Sequence, residues 1–175
     1  HCPVVPMRED SINFVGAKYP NREETLQALV AAGLPVRAYG RAWSRHPYDI
    51  LRTKQFKDSG VPAGRDIDRS EAYGIMASSP ATLNIHNNQD GFTMRTFEAP
   101  GVGALQVIDR ADVDRYYIPG EEVLVYESID ELIEICTRIF REPKWARQIR
   151  EAGQKRTLAE HTFDQRVKIL EQLWA

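Results

Sequence analysis

The sequence predicts an α/β domain built on a doubly wound, mainly parallel β-sheet with helices on both faces. Two observations support this prediction. Short apolar runs alternate with amphipathic helical patterns along most of the chain, as in folds where each strand is followed by a crossover helix. The 175 residues are 42% hydrophobic and 27% charged, which is the composition of a globular domain with one sizeable core.

The first half of the chain begins with a predicted βαβ unit. Residues 12–16 form a short apolar run ending in glycine, which indicates a buried strand. A helix capped by Asn21 and ended by Gly33 is expected next, and residues 35–40 predict the second strand. Between residues 41 and 66 the pattern dissolves into Pro, Gly, Ser and mixed charge, and no element is predicted there.

The alternation continues in the second half. A helix over about 68–78, capped by its first residue, precedes a strand at 81–86. A polar turn at 87–91 then leads into a short helix that starts at about Thr93 and ends near Pro100-Gly101. The remaining predicted elements are a strand at 104–108, a short helix at 112–117, a strand at 122–126, and helices at 129–140, from Pro143 to about Gly153, and at 163–174. This order is that of a Rossmann-like fold.

Charge and cysteine content exclude several classes of function. The formal net charge is −2, so no positive field favours nucleic acid. Cys2 and Cys136 lie in neither a CxxC nor a Cys/His spacing, and a disulfide framework or zinc site is not expected. The chain has neither an apolar run of about 18 residues nor a leader pattern, which predicts a cytoplasmic protein. Acidic residues interleave with the basic ones between 138 and 156, so membrane contact is not indicated there.

Candidate binding residues follow two predicted strands at their carboxyl ends, where ligands bind in doubly wound sheets. One group is the turn that begins at Gly16. The other is the turn before the helix at Thr93, whose amide groups and dipole suit a phosphate, while Gly91 permits close backbone approach. Glu98, farther along that helix, could accept hydrogen bonds from a sugar diol. Together they describe a nucleotide site, although such a turn also occurs in domains that bind nothing.

Motifs of other enzyme classes are missing from the sequence. Only Gly16 follows the first strand, and Gly101-Val102-Gly103 precedes a strand, so no GxGxxG opens a helix. Neither a GxxxxGKS/T phosphate loop nor a GxSxG elbow occurs. Dehydrogenases, P-loop nucleotidases and α/β-hydrolases are therefore disfavoured.

Several segments resemble glycosyltransferases of the GT-B class. Residues 90–107 are similar to their nucleotide-sugar segment, in which an acidic residue, seven intervening residues and a Glu precede a small-residue turn and a strand. The whole set is similar to the spore-maturation (CgeB-like) group. The segments that carry this likeness are Phe14-Val15-Gly16, Asn21-Arg22, Tyr39 to Trp43, Leu83 to His86, Arg95 to Pro100, Pro119 to Glu122 and Glu160 to Arg166.

The resemblance implies the C-terminal half of a two-domain enzyme that transfers a glycosyl group from a nucleoside-diphosphate sugar to an unknown acceptor. The chain begins at His1 without an initiator Met, and residues 1–11 are expected to be the remnant of an interdomain linker. Residues 12–175 would be the nucleotide-sugar-binding domain, inactive without the N-terminal Rossmann-like half. No cofactor and no required metal is expected.

The resemblance also assigns roles to residues. Glu98 matches the Glu that bonds the nucleotide ribose. Asp90 matches the catalytic-site acidic residue that contacts donor-sugar hydroxyls, where the family usually has the longer Glu. Phe92, Thr93 and Met94 would offer backbone amides to the diphosphate, and Lys18 and Arg22 match phosphate-binding cations. The remaining expected donor-binding residues, Gly16, Gly91 and Arg95, follow from their places in the two turns.

Three alternatives stay open at this stage. The domain could be a non-catalytic, Rossmann-like nucleotide-binding or interaction module, for which the substitution at Asp90 is the best support. The acid-x7-Glu pattern resembles retaining enzymes, but half of an active site leaves retention and inversion open. His86, at the end of a predicted strand, either faces the crevice or is a hydrogen-bonded structural residue.

Overall fold

The computed structural model describes residues 10–86 and 90–174. Its six strands form one sheet in the order β3-β2-β1-β4-β5-β6, and every neighbouring pair is parallel. The strands are β1 (Ile12–Val15), β2 (Val36–Tyr39), β3 (Ala63–Gly64), β4 (Thr82–Asn84), β5 (Gln106–Ile108) and β6 (Leu124–Val125). The predicted doubly wound α/β fold is confirmed.

Seven α-helices surround the described sheet. They are α1 (Pro20–Ala31), α2 (Pro47–Thr53), α3 (Arg69–Ser78), α4 (Arg95–Gly101), α5 (Ile129–Arg141), α6 (Pro143–Glu160) and α7 (Phe163–Trp174), with a 3-10 turn at Ala111–Arg115. Of the helices within the described ranges, none is long and apolar enough to cross a membrane. The linker predicted at 1–11 and the turn predicted at 87–91 lie largely outside the described residues.

The core lies between the sheet and its helices. Strand side chains are buried on both faces, as parallel sheets covered by helices require, with Ile12 and Phe14 of β1 and Val107 of β5 in one cluster. Helix α5 adds Leu132 and Cys136 to that cluster, because its apolar residues recur every three to four positions on one face.

Helix α1 begins differently from the prediction. Its first residue is Pro20, preceded by Tyr19 in extended conformation as the N-cap, so the predicted cap Asn21 lies inside the helix. Proline suits the first helical position because its fixed φ is already helical and that position needs no amide donor. The predicted end is correct, since Gly33 follows the C-cap with a φ of 77°.

The segment 41–66 contains two elements that the sequence analysis did not predict, α2 and β3. Asp49 of α2 is buried, where it accepts hydrogen bonds from Ser44 Oγ at 2.7 Å and Arg65 Nε at 3.0 Å. These bonds, first of all that from Arg65, lower the pKa of the Asp49 carboxyl. Polar side-chain contacts therefore order this stretch. Such contacts produce no hydrophobic periodicity, so the sequence pattern did not reveal α2 and β3.

Several predicted boundaries are wrong. Helix α4 begins at Arg95 and not at Thr93, whereas its end at Gly101 agrees with the prediction. Helix α6 continues past Gly153 to Glu160. Gly153 marks a close contact and not the end of the helix, because a Cβ at this position would collide with the Glu122 carbonyl oxygen. The predicted strands at 81–86, 104–108 and 122–126 are shorter than expected, and the helix at 112–117 is a 3-10 turn that begins at 111.

Candidate functional site

A cleft of about 370 Å³ lies where the strand order reverses, beyond the carboxyl ends of β1 and β4. Helices α3 and α4 form its other walls. The sequence-predicted residues that line it are Gly16, Arg22, Thr93, Met94, Arg95 and Glu98. Ligands of doubly wound folds bind at this reversal, since neighbouring loops separate there and leave a crevice.

Glu98 points into this cleft from α4. The Tyr73 hydroxyl donates to Glu98 Oε1 at 2.7 Å, while Arg69 Nε lies 4.0 Å and Arg95 Nη1 3.9 Å from the carboxylate oxygens. The Glu98 side chain is only 15% exposed. Its carboxylate is thus held in a fixed position, between two guanidinium groups, at the wall of the cleft.

Helix α3 contributes site residues that sequence analysis did not identify. Asp68 and Arg69 line the cleft, and Tyr73 reaches Glu98. Burial, and then the bond to Glu98, raises the pKa of the Tyr73 hydroxyl. The available signal was the order of elements: the start of a crossover helix lies at the carboxyl edge of the sheet, beside the cleft.

The start of α4 forms another wall. The Thr96 amide donates to the Thr93 carbonyl at 3.0 Å, so the Met94 and Arg95 amides precede the helical hydrogen-bond ladder. The Thr93 amide donates to His86 Nε2 at 3.4 Å. Met94 is half-exposed at the rim, and Arg95 Nη1 lies 3.3 Å from Met76 Sδ.

The structure does not bring Asp90, Gly91 and Phe92 to this cleft. The Phe92 ring packs edge-on against Tyr116 at 5.3 Å, with the Arg110 guanidinium 4.7 Å from its centroid. The Gly91 carbonyl accepts a hydrogen bond from Arg110 Nη1 at 3.1 Å, and Asp90 is exposed. The Phe92 side chain therefore anchors the turn, and the predicted contact of Asp90 with a donor sugar has no counterpart in the cleft lining.

Two site residues were predicted in the turn after β1, and only one of them lines the cleft. Gly16 lines the cleft, while its carbonyl accepts a hydrogen bond from Trp43 Nε1 at 2.9 Å. Lys18 turns away: its Nζ lies 3.0 Å from Glu23 Oε1 and 5.6 Å from the Trp43 ring centroid. The Lys18 side chain is 8% exposed and borders a separate surface depression with Glu23.

Arg22, also predicted as a phosphate-binding cation, braces the sheet. Its Nε and Nη2 donate to the Ile85 carbonyl at 3.1 and 2.7 Å, and Nη1 donates to the Ala17 carbonyl at 3.1 Å. Burial lowers the pKa of its guanidinium. Because Ala17 follows β1 and Ile85 follows β4, Arg22 ties together the two strand ends between which the cleft opens.

The cleft carries more positive than negative groups. Among its described lining residues are three arginines, at 22, 69 and 95, and two acidic residues, Asp68 and Glu98. Asp68 is also the N-cap of α3, where Oδ1 accepts from the Glu71 amide at 2.8 Å. Guanidinium groups form charge-assisted hydrogen bonds with phosphate oxygens, so this balance suits a phosphorylated ligand. Within residues 10–86 and 90–174, no three His, Cys, Asp or Glu side chains form a metal-binding group.

Comparison with known structures shows the same fold in several glycosyltransferase chains. Sucrose-phosphate synthase from Thermosynechococcus elongatus is 17% identical with a TM-score of 0.68, the match covering 95% of this chain and 46% of the other. Anabaena HepE in complex with UDP-glucose is 14% identical, with a TM-score of 0.69 and coverages of 94% and 48%. This chain thus spans about half the length of these two proteins.

A separately solved C-terminal domain has a similar extent. It belongs to LpcC, a glycosyl transferase group 1 family protein from Francisella tularensis, and is 12% identical with a TM-score of 0.61. That match covers 90% of this chain and 88% of the domain. Comparison with curated protein sequences yields no match.

A family model agrees with these structural likenesses. The model described as glycosyl transferase-like matches residues 22–172, which is most of the chain. The matched range includes α3, β4 and α4, whereas β1 and Gly16 at the cleft precede it. The chain therefore belongs to the glycosyl transferase-like family and has the Rossmann-like fold of a GT-B glycosyltransferase domain.

Proposed function

We propose that this chain is the donor-binding half of a glycosyltransferase and that its cleft binds a nucleoside-diphosphate sugar. The position of the Glu98 carboxylate carries the proposal. It faces the cleft at the strand-order reversal, held by Tyr73 and flanked by Arg69. A ribose offers two hydroxyl donors, and a carboxylate can accept both.

In this proposal the diphosphate lies beside the ribose, at the start of α4. The Met94 and Arg95 amides and the Arg69 and Arg95 guanidinium groups would donate to its oxygens. Such donors stabilise the negative charge that develops on the departing nucleoside diphosphate during glycosyl transfer. Arg22 would act indirectly, by fixing the carboxyl ends of β1 and β4 around the ligand.

The wider assignment rests on the family and on the extent of the match. HepE was solved with UDP-glucose, which makes a uridine nucleotide the first donor to test. Since this chain spans about half of HepE, we infer that the complete enzyme has an N-terminal partner domain and that this half alone does not turn over. We also propose residues 12–175 as the donor domain after a linker at 1–11, a CgeB-like subgroup and a cytoplasmic location.

Isothermal titration calorimetry with UDP, GDP and ADP tests the binding proposal. We expect at least one of them to bind with a dissociation constant of about 1 mM or tighter, which corresponds to ~4 kcal/mol. Absence of binding by all three at millimolar concentration contradicts the proposal. The preferred nucleotide identifies the base.

A non-catalytic nucleotide-binding module is the second candidate. One observation favours it: Asp90, expected to contact the donor sugar, is exposed and absent from the described lining of the cleft. Release of nucleoside diphosphate from the donor by the full-length parent protein separates the two. Turnover supports the transferase, whereas donor binding without turnover across a panel of acceptors supports the binding module.

A further inference from the structure

His86 lies immediately beyond β4 and is fully buried. Its backbone amide donates to both Asp109 carboxylate oxygens at 2.9 Å, and its Nδ1 lies 3.3 Å from Asp109 Oδ1. On the other side of the ring, Nε2 lies 3.4 Å from both the amide and the hydroxyl of Thr93, and 3.3 Å from Thr96 Oγ1. One imidazole thus joins the ends of β4 and β5 to the start of α4.

The neighbouring polar groups determine which ring nitrogen carries the proton. Asn84 Nδ2 donates to Thr96 Oγ1 at 3.2 Å, which leaves the Thr96 hydroxyl proton to be donated towards Nε2. The Thr93 amide is also a donor to Nε2, and an ionised carboxylate at Nδ1 can only accept. The contacts therefore fit a neutral imidazole with its proton on Nδ1, bonded to Asp109, and with Nε2 as an acceptor.

We propose that His86 is a positioning residue of the donor site, and this rests on the function proposed above. Its unprotonated Nε2 holds Thr93 in place and thereby places the Met94 and Arg95 amides at the edge of the cleft. His86 itself lies beneath the turn, because it has no exposed surface and the described cleft lining does not include it. It acts on the ligand only through the backbone that it holds.

The Asp109 carboxylate fixes this orientation of the ring. It accepts from the His86 amide through both oxygens and lies beside Nδ1. Loss of the Nε2 acceptor should therefore loosen the turn at Thr93 and weaken donor binding.

Two substitutions separate the two sides of the ring. His86→Gln keeps an acceptor near the position of Nε2 and loses the bond from Nδ1, whereas His86→Asn keeps a donor near Nδ1 and loses the acceptor. Calorimetry of the full chain with UDP-glucose measures the effect. We expect binding to weaken at least tenfold in His86→Asn and about threefold or less in His86→Gln. His46→Gln, at the exposed N-cap position of α2, is the control and should bind like the wild type.

A second measurement keeps this inference separate from the proposed function. Hydrogen exchange of the Thr93 amide in the nucleotide-free protein, followed by NMR, should be faster in His86→Asn than in the wild type and in His86→Gln. If the wild type binds no nucleotide, the proposed function fails and the Thr93 exchange rate still decides whether His86 holds the turn. Equal loss of binding in both variants, in step with their thermal stability, overturns the inference. So does a Thr93 amide that exchanges at the same rate in His86→Asn as in the wild type.

Discussion

The hydroxyl of Tyr73 donates to Oε1 of Glu98 at 2.7 Å, and this bond joins α3 to α4 at the wall of the cleft. Each residue lies on a different crossover helix, and neither helix alone would fix the carboxylate. The bond restricts Glu98 to rotamers that face the cleft. Tyr73 therefore orients the Glu98 carboxylate towards a ligand, and Tyr73 itself need not contact that ligand.

Replacing Tyr73 by phenylalanine tests whether its hydroxyl orients the Glu98 carboxylate. Tyr73→Phe should weaken nucleotide binding about fivefold, or ~1 kcal/mol, which is the usual net value of one hydrogen bond. Calorimetry with the preferred nucleotide measures the loss. Tyr48→Phe removes an exposed hydroxyl on α2 and serves as the control. Equal affinities in the two variants would show that Tyr73 has no part in the site.

Removing the Glu98 carboxylate should have a larger effect. Glu98→Ala is expected to weaken nucleotide binding by about 1 to 3 kcal/mol, because hydrogen bonds between the ligand and a charged group are lost. Glu134→Ala, on an exposed position of α5, is the matched control in the same titration. Unchanged or tighter binding by Glu98→Ala would remove this carboxylate from the site.

Local patterns in the sequence predict most of the fold. The start of α5 is an example: a Ser followed three residues later by a Glu indicates a helix start, and Ser128 Oγ indeed accepts from the Glu131 amide at 3.2 Å, with the helix beginning at Ile129. Strand β3 could not be predicted, because two residues form a strand only by pairing with β2. Pairing with β2 orders these two residues, and no pattern in their own sequence predicts it.

The candidate site divides in the same way. Thr93 and Glu98 reach the cleft because one lies just before, and the other in the first turn of, the helix that follows β4. This relationship is visible in the order of elements. Lys18 also lies just after a strand, but its side chain packs away from the cleft, against Glu23 and the Trp43 ring. Side-chain partners of this kind are decided by packing, and one sequence does not reveal them.

A substitution at Arg22 tests whether this side chain stabilises the fold by joining two strand ends or serves only to contact a ligand. Arg22→Lys keeps the positive charge, but one ammonium cannot reproduce a guanidinium fork that bonds the carbonyls of Ala17 and Ile85. We expect the free energy of unfolding to fall by about 2 kcal/mol, measured by urea denaturation. Arg37→Lys, at an exposed position of β2, should stay within about 0.5 kcal/mol of the wild type. A stability equal to that control would contradict the bracing role.

Replacing two helical glycines by alanine should change the free energy of unfolding in opposite directions. A Cβ at Gly153 would collide with the backbone oxygen of Glu122, so Gly153→Ala should lower the free energy of unfolding by about 1 to 3 kcal/mol. At Gly74, in α3, a Cβ meets no atom within 4 Å, and Gly74→Ala should raise it by about 0.5 to 1 kcal/mol through helix propensity. Urea denaturation of both variants measures the difference, and a shift of the same sign in both would contradict the close packing at Gly153.

Alkaline pH should destabilise the fold through Cys136. Burial raises the pKa of its thiol to about 12, from an ordinary value of 9.0. Between these values the unfolded chain loses the proton and the folded chain keeps it, so the free energy of unfolding falls as pH rises. From about pH 8 to 10 this term amounts to about 1.4 kcal/mol.

Urea denaturation at both pH values, on the wild type and on Cys136→Ala, isolates the contribution of the thiol. The variant starts from a lower stability, because a buried side chain is shortened, but its loss between the two pH values should be smaller by about 1.4 kcal/mol. Tyr117, whose pKa burial raises to about 12, destabilises both proteins alike above about pH 10 and cancels in the comparison. Equal losses in the two proteins would mean that the thiol is hydrated in the folded state, which would contradict its place on the buried face of α5.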